Sequence, residues 1–314
     1  MRGLIAVTDH DWFQFLRHQG QLDEANFWRP SDTRTPQQLV PGTPVLFKLR
    51  KRFGGWIVGW GTFVRHDVLP AWRAWDVFEQ RNGAESFLEM RQRIERLRGD
   101  RGGDKPASGD YQIGCLMLSQ PDFFEDSAWV APPKGWPENA VQGKSYDLSG
   151  GEGARVWREC LSRTAQSESV AEAPRPYVFP PERYGEPSLV RPRLGQGLFQ
   201  IVVTDAYGGA CAVTSEHSLP ALEAAHIQPY GEGGMHEVSN GLLLRSDIHR
   251  LLDKGYVGVT PDYRFQVSKQ LKADFANGHT YYPLHGQDIR LPSGVEEHPS
   301  PTGLEWHMDK RFRR

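Results

Sequence analysis

Cysteine is scarce in this chain: three among 314 residues, Cys115, Cys160 and Cys211, far apart and without a C-x-x-C pair. That spacing argues against a disulfide framework or a structural zinc ribbon and leaves reduced, buried thiols as the expectation. Long apolar runs are missing as well. None approaches the roughly 18–20 residues that a membrane-spanning helix requires. The opening MRGLIAVTDHDWF meets Asp9 and Asp11 after a short apolar stretch and lacks the features of a signal peptide, so a cytoplasmic protein with no membrane partner is expected. Charge of one sign is also absent. The balance of 37 Lys and Arg against 39 Asp and Glu gives a net −2, so no global positive field announces a nucleic acid, and any such contact must use a local basic patch. No repeat of solenoid or propeller period is present.

What remains is a globular composition, 38% hydrophobic and 24% charged, on a chain long enough for two domains. Residues 1–160 are rich in tryptophan and contain strand-like pieces at 44–50, 56–64 and 111–119, punctuated by Pro41-Gly42 and Gly54-Gly55. Between them, 71–98 has helical spacing in Ala71, Trp75 and Phe78 and again in Phe87, Met90 and Ile94, with a break at Asn82-Gly83. The polar run 99–110 reads as a loop. From 161 to 188 Ser, Ala, Glu and Pro dominate, as in an extended linker. A second domain is expected over 189–293. A polar segment, 294–314, follows, with Leu304 and Trp306 as possible docking points and Lys310, Arg311, Arg313 and Arg314 as either a solvated tail or a phosphate contact.

The informative stretch is 222–267, LEAAHIQPYGEGGMHEVSNGLLLRSDIHRLLDKGYVGVTPDYRFQV. It parses as a strand (222–227), a Gly-rich loop (230–234), a second strand (241–244) and a helix from Ser246, capped by Ser246 or Asp247 and ended by Gly255. His249 and Asp253 are four apart on that helix, so both project from one face and can grip one divalent cation. His226, on the preceding strand, can stand opposite the metal and accept a proton from water at neutral pH. The Asn240 amide can bridge backbone groups across the loop. His217, His236, His279 and His285 fall outside this pattern and read as surface or packing residues.

AAHIQPY…NGLLLRSDIHRLLDKG resembles the HNH endonucleases, above all the subgroup with an AAHI-x-P strand and an S-D-I-H-R-L-x-D-x-G helix. The resemblance covers roughly 195–275. It implies a ββα-metal nuclease domain with His226 as general base, Asn240 ordering the loop, and His249 and Asp253 holding a divalent metal, Mg²⁺ or a substitute such as Mn²⁺. It places Arg250 against a phosphate. Many of these nucleases carry an Asp or His metal ligand directly before the base; here that residue is Ala225. Glu223, two residues earlier on the same strand face, is one candidate for a third ligand. Asp247 is another, although a helix cap accounts for it more simply.

The first 150 residues, through NFWRP (26–30), WIVGWGTFV (56–64) and NAVQGKSYDL (139–148), resemble more faintly the PUA-like reader domains, with the EVE and SRA relatives nearest. That resemblance implies a bent β-barrel with flanking helices, an α+β protein overall, and recognition of modified cytosine flipped from double-stranded DNA. A flipped base needs a stacking platform and an edge-reading polar group. Trp28, Trp56, Trp60 and Trp75 are the aromatic candidates; Asn26 and Gln142 are the polar ones. Lys48, Arg50, Lys51 and Arg52 form a basic cluster at a strand end. Together the two resemblances imply a modification-dependent restriction endonuclease that acts as a homodimer. A nuclease of other specificity and a non-catalytic nucleic-acid-binding protein with a degenerate HNH domain stand as alternatives.

Overall fold

The computed structural model describes residues 1–30, 39–99, 111–137, 140, 143–168 and 195–314. The chain divides into two compact units, Met1–Arg193 and Leu194–Arg314. In the first, the order is β1 (Arg2–Thr8), α1 (His10–His18), β2 (Glu24–Arg29), β3 (Pro44–Leu49), β4 (Ile57–Pro70), α2 (Ala71–Phe78), α3 (Phe87–Arg98), β5 (Gln112–Phe123), β6 (Gly143–Asp147) and α4 (Gly151–Glu168). The six strands form one sheet in the order β2-β5-β4-β3-β1-β6. The β1–β3 pair is parallel and the others are antiparallel.

Every residue of β3 is buried, which marks a strand covered on both faces. Its alternation assigns each face a layer. Leu46 belongs with Ile5, Ile57 and Trp60 to a cluster completed by Val156 and Cys160 of α4. Phe47 points to the other side, where it meets Trp12 of α1 edge-on at 5.3 Å and stacks with Phe123 at 5.5 Å. The α1 helix starts where Asp9 accepts from the backbone N–H groups of Asp11 and Trp12 at 3.1 and 3.0 Å.

Two expectations change here. The described strands do not close into a barrel: β6 adds to the outer side of β1, which leaves β2 and β6 as opposite edges of an open sheet. Register shifts in β4, between Trp60 and Thr62 and between Phe63 and Arg65, supply local bending instead. The expected linker at 161–188 also begins too early. Helix α4 runs through Glu168 because Thr164 is tied to the sheet, accepting from Trp60 Nε1 at 3.0 Å and donating to Asp122 at 2.5 Å. The remainder of that expected linker lies outside the described residues.

The second unit runs α5 (Gln196–Ala206), β7 (Leu222–His226), β8 (Gly241–Arg245), α6 (Ser246–Asp253), β9 (Val257–Val259), β10 (Phe265–Val267), α7 (Gln270–Phe275) and α8 (Pro301–Lys310). β7 pairs antiparallel with β8, and β9 with β10. Phe199, Val203, Leu222, Leu242, Ile248 and Leu252 belong to one apolar core beneath the β7–β8 hairpin and α6.

The polar C-terminal segment is integral to this unit rather than peripheral. Leu304 and His307 of α8 are buried, whereas Trp306 is only partly so. His307 Nε2 lies 3.2 Å from the Leu252 carbonyl. The helix approaches β9 at Gly258, where a Cβ would stand 2.6 Å from Met308 Sδ. The basic residues behind it are tied down as well. Arg311 pairs with Glu232, and Arg313 donates to the Lys254 carbonyl at 2.8 Å and to Tyr256 Oη at 2.9 Å. Leu304→Ala is therefore expected to destabilise the second unit by about 2–5 kcal/mol, the cost of an unfilled core site. Denaturant unfolding checks it; an unchanged midpoint would show that α8 is dispensable.

Candidate active site

The β7–β8 hairpin is joined by residues 227–240, and one side chain organises that connection. Asn240 Oδ1 accepts from Gln228 N at 3.0 Å, while Nδ2 donates to the carbonyls of Gln228 and Met235, each at 2.9 Å. Its own carbonyl accepts from Ile227 N at 2.9 Å. One amide thus fastens the end of β7 to the loop and to the start of β8. The loop passes so near the clamp that Gly234 is sterically required: a Cβ there would lie 1.9 Å from the Gln228 oxygen and 2.9 Å from Asn240 Nδ2.

His226 ends β7 opposite Gly241 of β8. The ring of Phe199, from α5, stacks on it at a centroid distance of 4.0 Å and 11°. Its Nε2 lies 2.9 Å from Nδ1 of His236. Burial, followed by the neighbouring charges of His236 and His249, lowers its pKa to about 4. The imidazole is therefore neutral at physiological pH and retains a lone pair.

Helix α6 buries Ile248 and Leu252, one turn apart. The next residue in each turn, His249 and Asp253, then shares an adjacent and more open face. His249 Nδ1 is 2.7 Å from Glu223 Oε2 across on β7. His249 Nε2 is 3.6 Å from Asp253 Oδ2. That separation is long for a hydrogen bond, yet two donors each about 2.1 Å from one ion can be no more than about 4.2 Å apart. An imidazole nitrogen and a carboxylate oxygen suit a divalent metal, so this pair fits one. Burial raises the Glu223 pKa, but the hydrogen bond from His249 and the charge of Arg250 oppose it, and the carboxyl is held below its ordinary range. An ionised Glu223 accepting from Nδ1–H leaves the Nε2 lone pair facing Asp253.

Among the described residues no group of three His, Cys, Asp or Glu side chains is arranged to hold a metal. Ala225 is fully buried in the core and offers no donor beside His226. Glu223, one candidate for a third ligand, is engaged with His249. Asp247 is committed elsewhere and does not cap α6. It accepts from Arg245 Nε at 3.0 Å and Nη2 at 2.5 Å, and from Tyr281 Oη at 3.0 Å. Ser246 does not cap the helix either; its hydroxyl donates to the Ala221 carbonyl at 3.2 Å. Arg250 is exposed on α6. His236, which the sequence leaves as a surface or packing residue, touches His226. Neither that contact nor the Phe199 stack has a sequence signal, because both partners come from outside the motif.

In the first unit the candidate reader residues are scattered. Asn26 is completely buried, donating to Asn82 Oδ1 at 2.9 Å, and Trp28 donates to the Asn82 carbonyl at 2.9 Å. Trp60 is held in the core by Thr164. These three pack the interior rather than face solvent, since a sheet covered on both faces takes up its aromatics as core. Trp75 is partly buried against Phe87, and Trp56 is 40% exposed. Gln142 lies outside the described residues. Lys48 leaves the basic cluster: it is buried, donates to the Leu49 carbonyl at 3.0 Å and sits 5.0 Å over the Trp136 ring, and burial lowers its pKa. Arg50, Lys51 and Arg52 remain exposed beside Trp56.

Residues 211–260 match the family model described as HNH endonuclease. The second unit thus carries an HNH endonuclease domain, whose members generally use a divalent metal, and the protein is a DNA endonuclease. A solved structure, titled "Modification dependent TagI restriction endonuclease", aligns over 94% of this chain and 78% of its own, at 12% identity and a TM-score of 0.32. No curated protein matches in a sequence comparison. No described helix is long and apolar enough to cross a membrane.

Two outcomes test the geometry. The His226 imidazole should titrate near 4 in the metal-free protein, against about 6.5 for a free histidine, as read by NMR. Because the folded pKa is the lower one, the unfolded chain binds the extra proton first, so His226 costs stability as pH falls from about 6.5 toward 4. A midpoint near 6.5 would refute the burial argument. Separately, Asn240→Ala leaves several loop groups without their partner and should cost about 1–3 kcal/mol, measured by thermal or denaturant unfolding.

Proposed function

We propose that the protein is a modification-dependent DNA restriction endonuclease, with a PUA-like first unit that reads modified cytosine in double-stranded DNA and an HNH unit that hydrolyses the phosphodiester. The observation that carries the hydrolytic part is the joint placement of a neutral His226 on β7 and the His249–Asp253 pair on α6. His226 takes the proton of the attacking water. Asn240 holds the loop so that the strand carrying His226 keeps its register. His249 and Asp253 hold a divalent ion, Mg²⁺ or Mn²⁺, which when bound neutralises charge on the phosphate and the leaving 3′-oxygen. Glu223 orients His249 by accepting from Nδ1, and Arg250, exposed on the same helix, binds a neighbouring phosphate. Cutting both strands requires two such sites, which favours a homodimer on DNA.

The reading of a modified base rests on the sequence resemblance of the first 150 residues. Of the reader candidates described, Trp56 and Trp75 are the two with open surface. Trp56 stands beside Arg50, Lys51 and Arg52, where an aromatic face and phosphate-binding cations occur together.

His226→Ala should abolish cleavage, a loss of at least about a hundredfold, while DNA affinity stays within about twofold. Normal cutting by that variant would remove the site assignment. The trigger is tested by cleavage of unmodified, methylated, hydroxymethylated and glucosylated DNA with Mg²⁺ and with Mn²⁺. Modification dependence predicts cutting confined to one or more of the modified substrates; equal rates on all four would leave a nuclease of other specificity.

A further inference from the structure

The loop histidine His236 belongs neither to the metal pair nor to the Asn240 clamp. It sits ten residues beyond His226, on the far side of the Gly-rich turn. Both rings are held in orientation by aromatic neighbours. Phe199 stacks on His226 at 4.0 Å, and Tyr230 stacks on His236 at 4.7 Å and 16°. The two imidazoles meet edge to face, with centroids 4.9 Å apart and a 68° angle, and join His226 Nε2 to His236 Nδ1 at 2.9 Å.

This contact decides which nitrogen of His226 can work. A neutral imidazole has one N–H and one lone pair. Nε2 is engaged with His236, so the nitrogen left to receive a proton is Nδ1, which makes no hydrogen bond to any described residue. For Nδ1 to be basic, the ring proton must reside on Nε2 and needs an acceptor there. His236 Nδ1 stands at hydrogen-bond distance to accept it.

We propose that His236 is the positioning residue of the general base. It accepts the Nε2–H of His226 and thereby fixes the neutral ring in the tautomer whose lone pair lies on Nδ1. In the hydrolytic step, water gives one proton to Nδ1 and its oxygen to phosphorus, while the bond from phosphorus to the 3′-oxygen breaks; the 3′-oxygen leaves with that electron pair and is protonated by solvent water, and Nδ1 later returns its proton to solvent. The Nε2 proton stays in the bond to His236, which strengthens as the ring becomes an imidazolium. Tyr230 keeps the acceptor in place. The inference rests on His226 being the base.

The test uses the full-length protein and two replacements. His236→Phe keeps a ring for Tyr230 to stack on but has no acceptor. His236→Asn places Oδ1 near the position of Nδ1 and restores one. The Phe variant should lose at least about tenfold in kcat with KM for DNA unchanged, and the Asn variant should recover most of that loss. Imidazole nitrogen NMR of the metal-free protein provides a readout independent of turnover. His226 should carry its proton on Nε2 in the unsubstituted protein and in His236→Asn, and should populate both tautomers in His236→Phe. A His226 protonated on Nδ1 in the unsubstituted protein overturns the proposal. So does full kcat in His236→Phe while His226→Ala is inactive, or an Asn variant no better than Phe. If calorimetry with Mn²⁺ shows His236→Phe weakening binding as much as His249→Ala, His236 is a metal ligand and the positioning role is wrong. Cleavage by His226→Ala would instead overturn the reading of the base itself.

Discussion

The second unit depends on one side-chain amide. Asn240 has an acceptor and two donors on a single short side chain, and it uses all three on the backbone of the loop that closes the β7–β8 hairpin. A hairpin of two five-residue strands has few ladder bonds to resist slipping, and a shift of one residue would turn His226 to the opposite face of β7. The clamp fixes the register, and the register fixes which face of β7 carries His226. Gly234 is the cost-free condition of that arrangement, because any side chain there would fill the space occupied by the Gln228 carbonyl.

Around this clamp two histidines are given different electrostatic surroundings. His226 lies under Phe199 and against another imidazole, and burial holds it neutral. His249 lies between two carboxylates, Glu223 at Nδ1 and Asp253 near Nε2. The first environment favours a free lone pair, the second a nitrogen presented to a cation. Chemically identical side chains acquire distinct capacities from what surrounds them. The α8 helix contributes indirectly, since His307 meets the Leu252 carbonyl near the end of α6 and Leu304 joins the same apolar core.

The first unit shows the opposite use of polar and aromatic residues. Its central strand is covered on both faces, and many of the described aromatic side chains are taken up by that covering. Trp12, Phe27, Phe47 and Phe123 form one packed cluster, while Trp60 anchors α4 through Thr164. Composition rich in tryptophan therefore reflects a core requirement at least as much as a binding surface. Trp56, seven residues beyond the end of β3, is set apart by being 40% exposed.

Much of the second unit was legible in the chain itself. The order strand, loop, strand, helix, the i, i+4 placement of His249 and Asp253, and the reach of Asn240 across the loop all follow from local spacing, since each depends on residues close in sequence. The strands at 44–50 and 56–64 were legible for the same reason, through apolar runs and their turns. Three features were decided only in tertiary structure. Glu223 bonds to a histidine 26 residues away, His236 meets His226 across a turn, and α8 packs against β9; none of these pairs leaves a periodic trace. Ser246 and Asp247 read as helix caps from sequence because both residue types suit that position, but Arg245, Tyr281 and the Ala221 carbonyl compete for them more favourably. The open edge strands of the first sheet likewise depend on which strands pair, a long-range choice that local patterning does not encode. The sequence determined which side chains were available for the chemistry. The fold decided which nitrogen of each histidine is engaged, because that depends on partners brought together from distant parts of the chain.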